Sequence, residues 1–208
     1  MATKYIVGDV ETSSLGDGAG IVEIAWKEID ENCNVLAQFH SLIDPGHKIC
    51  YGAMGVHNIT DEMVADAPTI EEFFSVVHPG KIQGETVLIC HNVEFDQRFF
   101  KPWIANLRGK LCTLRMAKRF LPNAPNHKLQ TLRYMLDLEA GDAHSALGDV
   151  TCAVDLLRKL LLISGNTLEE LYTIANEPMF IDIVPFGKHK GKKTVDLPLD
   201  YIKWMLGL

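Results

Sequence analysis

The chain has 208 residues, of which 47% are hydrophobic, and a formal net charge of −7. This composition excludes an intrinsically disordered chain and predicts one main domain with room for an appendage. The apolar runs fall short of the roughly 20 residues that a membrane helix needs, and residues 1–4 lack the features of a signal peptide. We therefore expect a cytoplasmic protein with no membrane partner.

The first predicted strand ends in two acids. Tyr5, Ile6 and Val7 are typical of a buried strand, and Asp9 and Glu11 follow them. Residues two apart on a strand point to the same face, so these carboxylates project together. Their like charges repel unless a cation lies between them, which favours a hard divalent metal. A solvated strand end before a flexible loop is the alternative that this stretch leaves open.

Alternating strand and helix patterns follow along the chain. The predicted strands cover residues 5–7, 21–26, 35–43 and 86–90, and the predicted helices cover residues 61–64, 69–74, 129–136, 145–163 and 167–175. A further helix begins within residues 91–96. The first three strands predict an antiparallel meander, because polar turn residues separate the second from the third. A meander followed by alternating helices and strands predicts an α/β sheet layered with helices.

Two later stretches bring further acids toward Asp9 and Glu11. Asp96 follows a strand that we expect beside the first, because active sites of such sheets gather at strand ends. Asp149 lies in the first turns of the long helix, five residues after His144. Five residues rotate a side chain by about 140°, so we expect His144 just before the helix and Asp149 on it. A surface histidine and a solvated acid are the alternatives for either residue alone.

Three stretches together resemble the motifs of the DEDDh family of 3′-to-5′ exonucleases. They are Asp9-Val10-Glu11 and residues 91–96 and 144–149, which read HNVEFD and HSALGD. The resemblance covers about residues 5–164. It implies a ribonuclease H-like fold with a mixed sheet of a three-strand antiparallel meander and parallel strands, flanked by helices. It also implies four metal ligands, which are Asp9, Glu11, Asp96 and Asp149. The implied general base is His144.

The implied cofactors are two divalent cations, Mg²⁺ with Mn²⁺ as a substitute, because carboxylates offer the oxygen ligands that these ions prefer. In relatives, the segment that holds Thr12 and Leu15 contacts the terminal nucleotide. We expect His57 and Asn92 to contribute to substrate binding as well. His91, beside Asn92, is expected to be a packing residue rather than a ligand.

The carboxy-terminal region carries the one strongly basic cluster of the sequence, residues 186–193 with the letters FGKHKGKK. Lys188, Lys190 and Lys192 are expected to bind the phosphates of a substrate. A solvated hairpin, in which Phe186 and Trp204 form a small core, is the alternative. A similar segment follows the nuclease domain in proteins that resemble exodeoxyribonuclease X. We therefore expect this chain to lie nearest to that branch of the family. We expect an exonuclease domain at 1–165, a connecting helix at 166–177 and a small basic module at 178–208.

The leading hypothesis is a metal-dependent 3′-to-5′ exonuclease of DNA that releases nucleoside 5′-monophosphates by a two-metal mechanism. One alternative is an RNA exonuclease of the ribonuclease T or oligoribonuclease type, since the motifs do not reveal contacts to the 2′-OH. Another is a proofreading subunit associated with a polymerase. The predicted partner is nucleic acid, and the sequence leaves both a homodimer and a polymerase partner open.

Overall fold

A computed structural model describes residues 3–77, 81–139, 144–177, 184 and 187–205. The chain divides into two compact units, Met1–Asn176 and Glu177–Leu208. The strands of the first unit are β1 Lys4–Thr12, β2 Ile21–Ile29, β3 Val35–Leu42, β4 Ile82–Cys90 and β5 Ile104–Cys112. Its helices are α1 Tyr51–His57, α2 Asp61–Val64, α3 Ile70–Val77, α4 Val93–Phe100, α5 Thr113–Phe120, α6 Leu129–Leu136, α7 Ala146–Ser164 and α8 Leu168–Asn176.

The five strands form one mixed sheet in the order β3-β2-β1-β4-β5. β1 pairs antiparallel with β2, and β2 pairs antiparallel with β3, so the predicted meander is confirmed. β4 lies parallel to β1 on its other side, and β5 lies parallel to β4. The predicted α/β fold with a mixed sheet and flanking helices is therefore confirmed. The sequence patterns did not predict α1 or the greater part of β5.

Alternation along β1 sends its side chains into two separate cores. Tyr5 and Val7 join the core that contains the buried face of α7. Ile6 and Val10 join the core on the opposite face, with Phe74 of α3 and Phe100 of α4. Asp9 and Glu11 continue the odd-numbered series, so β1 presents them on the face that α7 covers.

Helix α7 supplies the largest cover of that face. Ser145 is its N-cap, and the side chain of Ser145 accepts a hydrogen bond from the amide of Gly148 at 3.1 Å. The helix ends at Gly165, which takes the left-handed conformation typical of a helix C-terminus. Val150, Val154 and Leu157 are fully or almost fully buried in this core.

Helix α8 packs on the same core rather than standing apart from it. Leu168 and Leu171 are buried there. The hydroxyl of Tyr5 donates to the carboxylate of Glu169 at 2.8 Å, and Arg108 of β5 forms an ion pair with the same carboxylate. The segment expected as a connecting helix is thus part of the first unit.

The second unit contains a tight turn and a short helix, α9 Leu199–Met205. The amide of Gly191 donates to the carbonyl of Val184 at 2.8 Å, and the amide of Val184 donates to the carbonyl of Lys192 at 2.9 Å. The ring of His189 packs edge to face against Tyr201, with centroids 4.4 Å apart. Trp204 is 70% exposed, so the alternative in which it forms a small core is wrong for this residue. Phe186 lies outside the described residues.

Among the described residues, no helix has both the length and the apolar character that a membrane span requires.

Candidate metal centre

Three carboxylates converge at the end of β1. Asp9 and Glu11 reach it from the strand, and Asp149 reaches it from the first turns of α7. One carboxylate oxygen of each lies within 4.8 Å of the others, and all three residues are partly buried. The strand's period of two and the packing of α7 over the odd-numbered face together produce this cluster.

Asp96, on α4, lies outside this group of three, but it is near enough to Asp9 for its charge to raise the pKa of Asp9. The helix approaches β1 closely because Gly8 has no side chain: a Cβ there would lie 2.6 Å from the ring of Phe100. The pairing of β1 with β4 ends at Val7, so the backbone beyond it has no strand partner on this side. The amide of Val10 donates instead to the carboxylate of Asp96, which is 3% exposed.

The turn before α7 holds Asp149 and His144 together. His144 has a φ of 61° and lies immediately before the N-cap Ser145, so its side chain projects from the turn and is exposed. Its backbone amide donates to the carboxylate of Asp149. The side-chain amide of Gln130, on α6, donates to Asp149 Oδ1 at 2.9 Å. The placement of His144 before the helix agrees with the rotation argument from sequence.

The environment favours the protonated form of each acid in the group. Burial raises the pKa of Glu11 to about 8, and the negative charges of Asp149 and Glu23 add to this effect. Burial raises the pKa of Asp9 well above its usual range, and repulsion by Asp96 and Asp149 raises it further. Burial is also the main cause that raises the pKa values of Asp96 and Asp149. The group needs added positive charge before all its members can ionise together.

The donor set fits hard divalent cations. Every donor is a carboxylate oxygen, the ligand type that Mg²⁺ and Mn²⁺ prefer. Among the described residues, none of the ion pairs found involves Asp9, Glu11 or Asp96. The charges of Arg98 and His144 lower the pKa values of Asp96 and Asp149, whereas the causes found for Asp9 and Glu11 all raise the pKa, so positive charge is still missing there. A bound cation would supply it.

The loop after β1 forms the rim of the site. The amide of Ser13 donates to the carbonyl of Gly20 at 2.9 Å, and the amide of Gly20 donates to Ser13 Oγ at 3.0 Å. Between these anchored ends, Leu15 is 85% exposed. Thr12 is buried, and its hydroxyl donates to the carbonyl of Ser14 at 2.8 Å. The loop therefore presents an apolar side chain from a fixed base.

His57 supports this rim from below. The amide of Ile59 donates to His57 Nδ1 at 3.0 Å, so Nε2 carries the proton and donates to the carbonyl of Thr12 at 3.3 Å. The ring is buried, which lowers its pKa. Both ring nitrogens are bonded within the protein, and His57 thus reaches the site through Thr12.

His91 and Asn92 shape the passage from β4 to α4. His91 Nε2 donates to the carbonyl of His127 at 2.9 Å, and Nδ1 accepts from the hydroxyl of Thr113 at 3.0 Å. Burial of the ring lowers the pKa of His91 to about 4, so the ring is neutral at ordinary pH. Asn92 is exposed in a left-handed conformation with φ 89°.

Gln130 and Glu23 are two residues near the site to which no role was expected from the sequence. Glu23 is 4% exposed on β2, and it pairs in register with Glu11. An acid within an apolar strand was the available signal, because a buried carboxylate is rare without partners. Gln130 gave no comparable signal, since a glutamine on an amphipathic helix is ordinary. The predicted substrate lysines Lys188, Lys190 and Lys192 are exposed in the second unit.

Comparison with known proteins gives two family matches. A family model described as "Exonuclease" matches residues 6–157. A second model, named for a quorum-sensing-regulated virulence factor, matches residues 167–207. The first match covers all four carboxylates and His144.

Individual relatives agree with the first match. The chain is 29% identical to exodeoxyribonuclease 10 of Escherichia coli strain K12 over 204 residues, which cover 94% of this chain and 88% of the relative. It is 26% identical to the DNA polymerase III subunit epsilon of Aquifex aeolicus, over 76% of this chain and 80% of that protein. The structure of exonuclease X in complex with 5′-overhanging duplex DNA matches with a TM-score of 0.66 and 28% identity, over 84% of this chain and all of that one. The chain therefore belongs to the exonuclease family, of the DEDDh type that its motifs predicted.

Proposed function

We propose that the protein is a metal-dependent 3′-to-5′ exonuclease that degrades DNA and releases nucleoside 5′-monophosphates. The observation that carries this proposal is the convergence of Asp9, Glu11 and Asp149 within 4.8 Å, with Asp96 on the adjoining helix. His144 stands at the start of the helix that holds Asp149. This set supplies both oxygen ligands for cations and a proton acceptor beside them.

Asp9, Glu11, Asp96 and Asp149 would hold two divalent cations, Mg²⁺ in the leading case with Mn²⁺ as a substitute. Bound there, the cations would neutralise charge on the scissile phosphate and stabilise the attacking and leaving oxygens. The like charges of the four carboxylates make the site selective for an occupant of high positive charge.

His144 is assigned the proton transfer. Its exposed imidazole accepts a proton from the attacking water, and a neutral imidazole is suited to this at ordinary pH. The bond from its backbone amide to Asp149 fixes the start of the side chain against the metal centre. Thr12 and Leu15 are assigned to the terminal nucleotide, because the anchored loop presents Leu15 to solvent at the rim.

DNA is the proposed substrate because the E. coli relative is named as an exodeoxyribonuclease and exonuclease X was solved with duplex DNA. The similarity to a polymerase subunit epsilon supports a second candidate, a proofreading exonuclease that works beside a polymerase. Both candidates use the same carboxylates, so they differ in partner rather than in chemistry.

The test uses 5′-labelled single-stranded DNA and RNA of the same sequence, with Mg²⁺ or EDTA. We expect a ladder of DNA products that shortens from the 3′ end, appears only with Mg²⁺ and is accompanied by nucleoside 5′-monophosphates. Degradation of RNA alone would contradict the substrate assignment. Immediate release of the 5′-terminal label as a mononucleotide would contradict the polarity.

We further propose that the second unit, within the module expected at residues 178–208, binds the nucleic acid strand. Lys188, Lys190 and Lys192 are exposed within the turn, and Lys193 follows them. Clustered lysines bind phosphates without regard to sequence. This unit therefore adds phosphate contacts to the binding of a long strand.

Replacing Lys188, Lys190 and Lys192 with glutamine should weaken binding of a long single strand about tenfold at low salt. It should also reduce the slope of log affinity against log salt by about 2, because three phosphate contacts on a single strand are lost. Cleavage of a trinucleotide should stay unchanged. The matched control replaces Lys81, Lys101 and Lys159 and removes the same charge from the first unit. Equal losses for long and short substrates would contradict the proposal.

A further inference from the structure

Glu23 is a buried acid near the metal centre that the proposed mechanism does not use. It lies on β2 with its side chain on the face toward α7, as Ala25 and Lys27 do by alternation. The carboxylate accepts a hydrogen bond from the amide of Ala146 at 3.0 Å through Oε2. It accepts another from His40 Nε2 at 2.7 Å through Oε1. Both oxygens are thus committed to named donors.

The hydrogen bond from Ala146 to Glu23 satisfies a backbone amide at the start of α7. The first amides of a helix have no partner within the helix, and Ser145 satisfies the amide of Gly148. Glu23 satisfies the amide of Ala146, the first helical residue, from a strand 123 residues away in sequence. A carboxylate at a helix N-terminus is also favoured by the helix dipole.

The position of this bond gives it a functional consequence. Ala146 is fully buried, two residues after His144 and three before Asp149. The side chain of Lys27 donates to Thr151 Oγ1 at 2.7 Å, one turn further along the helix. β2 therefore holds α7 at two points, and the one at Glu23 lies between the proton acceptor and the metal ligand.

The negative charge of Glu23 does not stabilise the acidic group, which indicates that the hydrogen bond is its main contribution. Its negative charge raises the pKa values of Asp9, Glu11 and Asp149, so it opposes the ionisation of the group. Both of its oxygens are bonded to protein donors, so its identifiable role lies in those two hydrogen bonds.

We propose that Glu23 is a positioning residue that fixes the first turn of α7 and so aligns His144 and Asp149 for catalysis. It acts through the amide of Ala146 and touches neither substrate nor cation. His40 fixes the second oxygen of the carboxylate and orients it toward Ala146. This inference rests on the proposed nuclease function of the same site.

The test compares Glu23→Gln, Glu23→Met and His40→Gln. Gln keeps an oxygen that accepts from Ala146, whereas Met has a similar length and no acceptor. We expect Glu23→Met to lower kcat about 10- to 100-fold with KM changed less than about threefold, as for other residues that orient metal-site groups. Glu23→Gln and His40→Gln should stay within about threefold of the natural protein.

Hydrogen exchange supplies a readout that does not depend on activity. Amides in the first turn of α7 should exchange at least about tenfold faster in Glu23→Met than in Glu23→Gln. If exchange is faster in Glu23→Met but the natural protein has no nuclease activity, the proposed function is wrong. The role of Glu23 in fixing the start of α7 would still be supported. A loss of kcat in Glu23→Gln equal to that in Glu23→Met would overturn the positioning role, because it would show that the charge matters. If Glu23→Met does not fold, the kcat of Glu23→Gln still tests the proposal, because a loss of more than about threefold would contradict it.

Discussion

Replacing Asp9 with asparagine is expected to lower kcat/KM on DNA by at least about 1,000-fold. Asp9 lies at the centre of the acidic group, where its pKa responds to Asp96, Asp149, Glu11 and Glu23. Under the proposed mechanism, this substitution removes a central metal ligand and with it several kcal/mol of transition-state stabilisation, of which each 1.4 kcal/mol is worth about tenfold in rate. Steady-state kinetics with Mg²⁺ measure this effect.

The same substitution should stabilise the metal-free protein. Asparagine removes one of the mutually repelling charges, so the Tm in EDTA at pH 8 should rise by about 3–6 °C, which corresponds to about 1–2 kcal/mol for a chain of this size. Asp17→Asn, on the exposed part of the loop after β1, is the matched control and should change neither quantity. A variant that loses activity and also unfolds more easily would show that Asp9 serves the fold instead.

The metal-free protein should become less stable as the pH rises from 6.5 to 8.5. The pKa of Glu11 is about 8 in the folded chain, and the pKa of Asp9 lies well above its usual range, whereas both acids have pKa values near 4 when unfolded. Between these values the folded state holds more protons than the unfolded state, so the free energy of unfolding falls with rising pH. We expect a loss of about 1–2 kcal/mol, or about 3–6 °C in Tm.

The pH window limits an opposing effect of the histidines. The pKa values of His57 and His91 are lowered in the folded chain, so these residues favour folding more as the pH rises toward 6.5. Above pH 6.5 the unfolded histidines lose their remaining charge, which opposes the predicted loss by at most about 1 kcal/mol in total. Saturating Mg²⁺ should raise the Tm more at pH 8.5 than at pH 6.5, because its ligands must be ionised. A Tm in EDTA that rises across the window, or an equal gain from Mg²⁺ at both pH values, would contradict the account.

The meander was predictable because its signals are local. The apolar run of β2 and the alternating β3 flank a polar turn, and each strand pairs with its neighbour in sequence. β5 was largely missed because Asn106, Arg108 and Gly109 weaken the strand pattern at an edge of the sheet. α1 was missed because two of its seven residues, Gly52 and Gly55, are poor helix formers.

The candidate site residues could be proposed from the sequence for a different reason. Asp9, Glu11, Asp96, His144 and Asp149 lie in motifs whose spacing follows strand ends and a helix start. The partners that orient them do not follow such spacing, because they approach from other elements. Gln130 reaches Asp149 from α6, and Glu23 reaches Ala146 from β2. Contacts of this kind depend on tertiary packing, which no local pattern in a single sequence encodes.

The metal site is tested by counting the ions that the carboxylates bind. Crystals grown with Mn²⁺ and a nucleoside 5′-monophosphate would locate each ion by its anomalous scattering. We expect two Mn²⁺ ions, bounded by Asp9, Glu11, Asp96 and Asp149, and no ion there in the Asp9→Asn variant. An empty carboxylate group under conditions in which the protein degrades DNA, or ions bound only elsewhere, would contradict it.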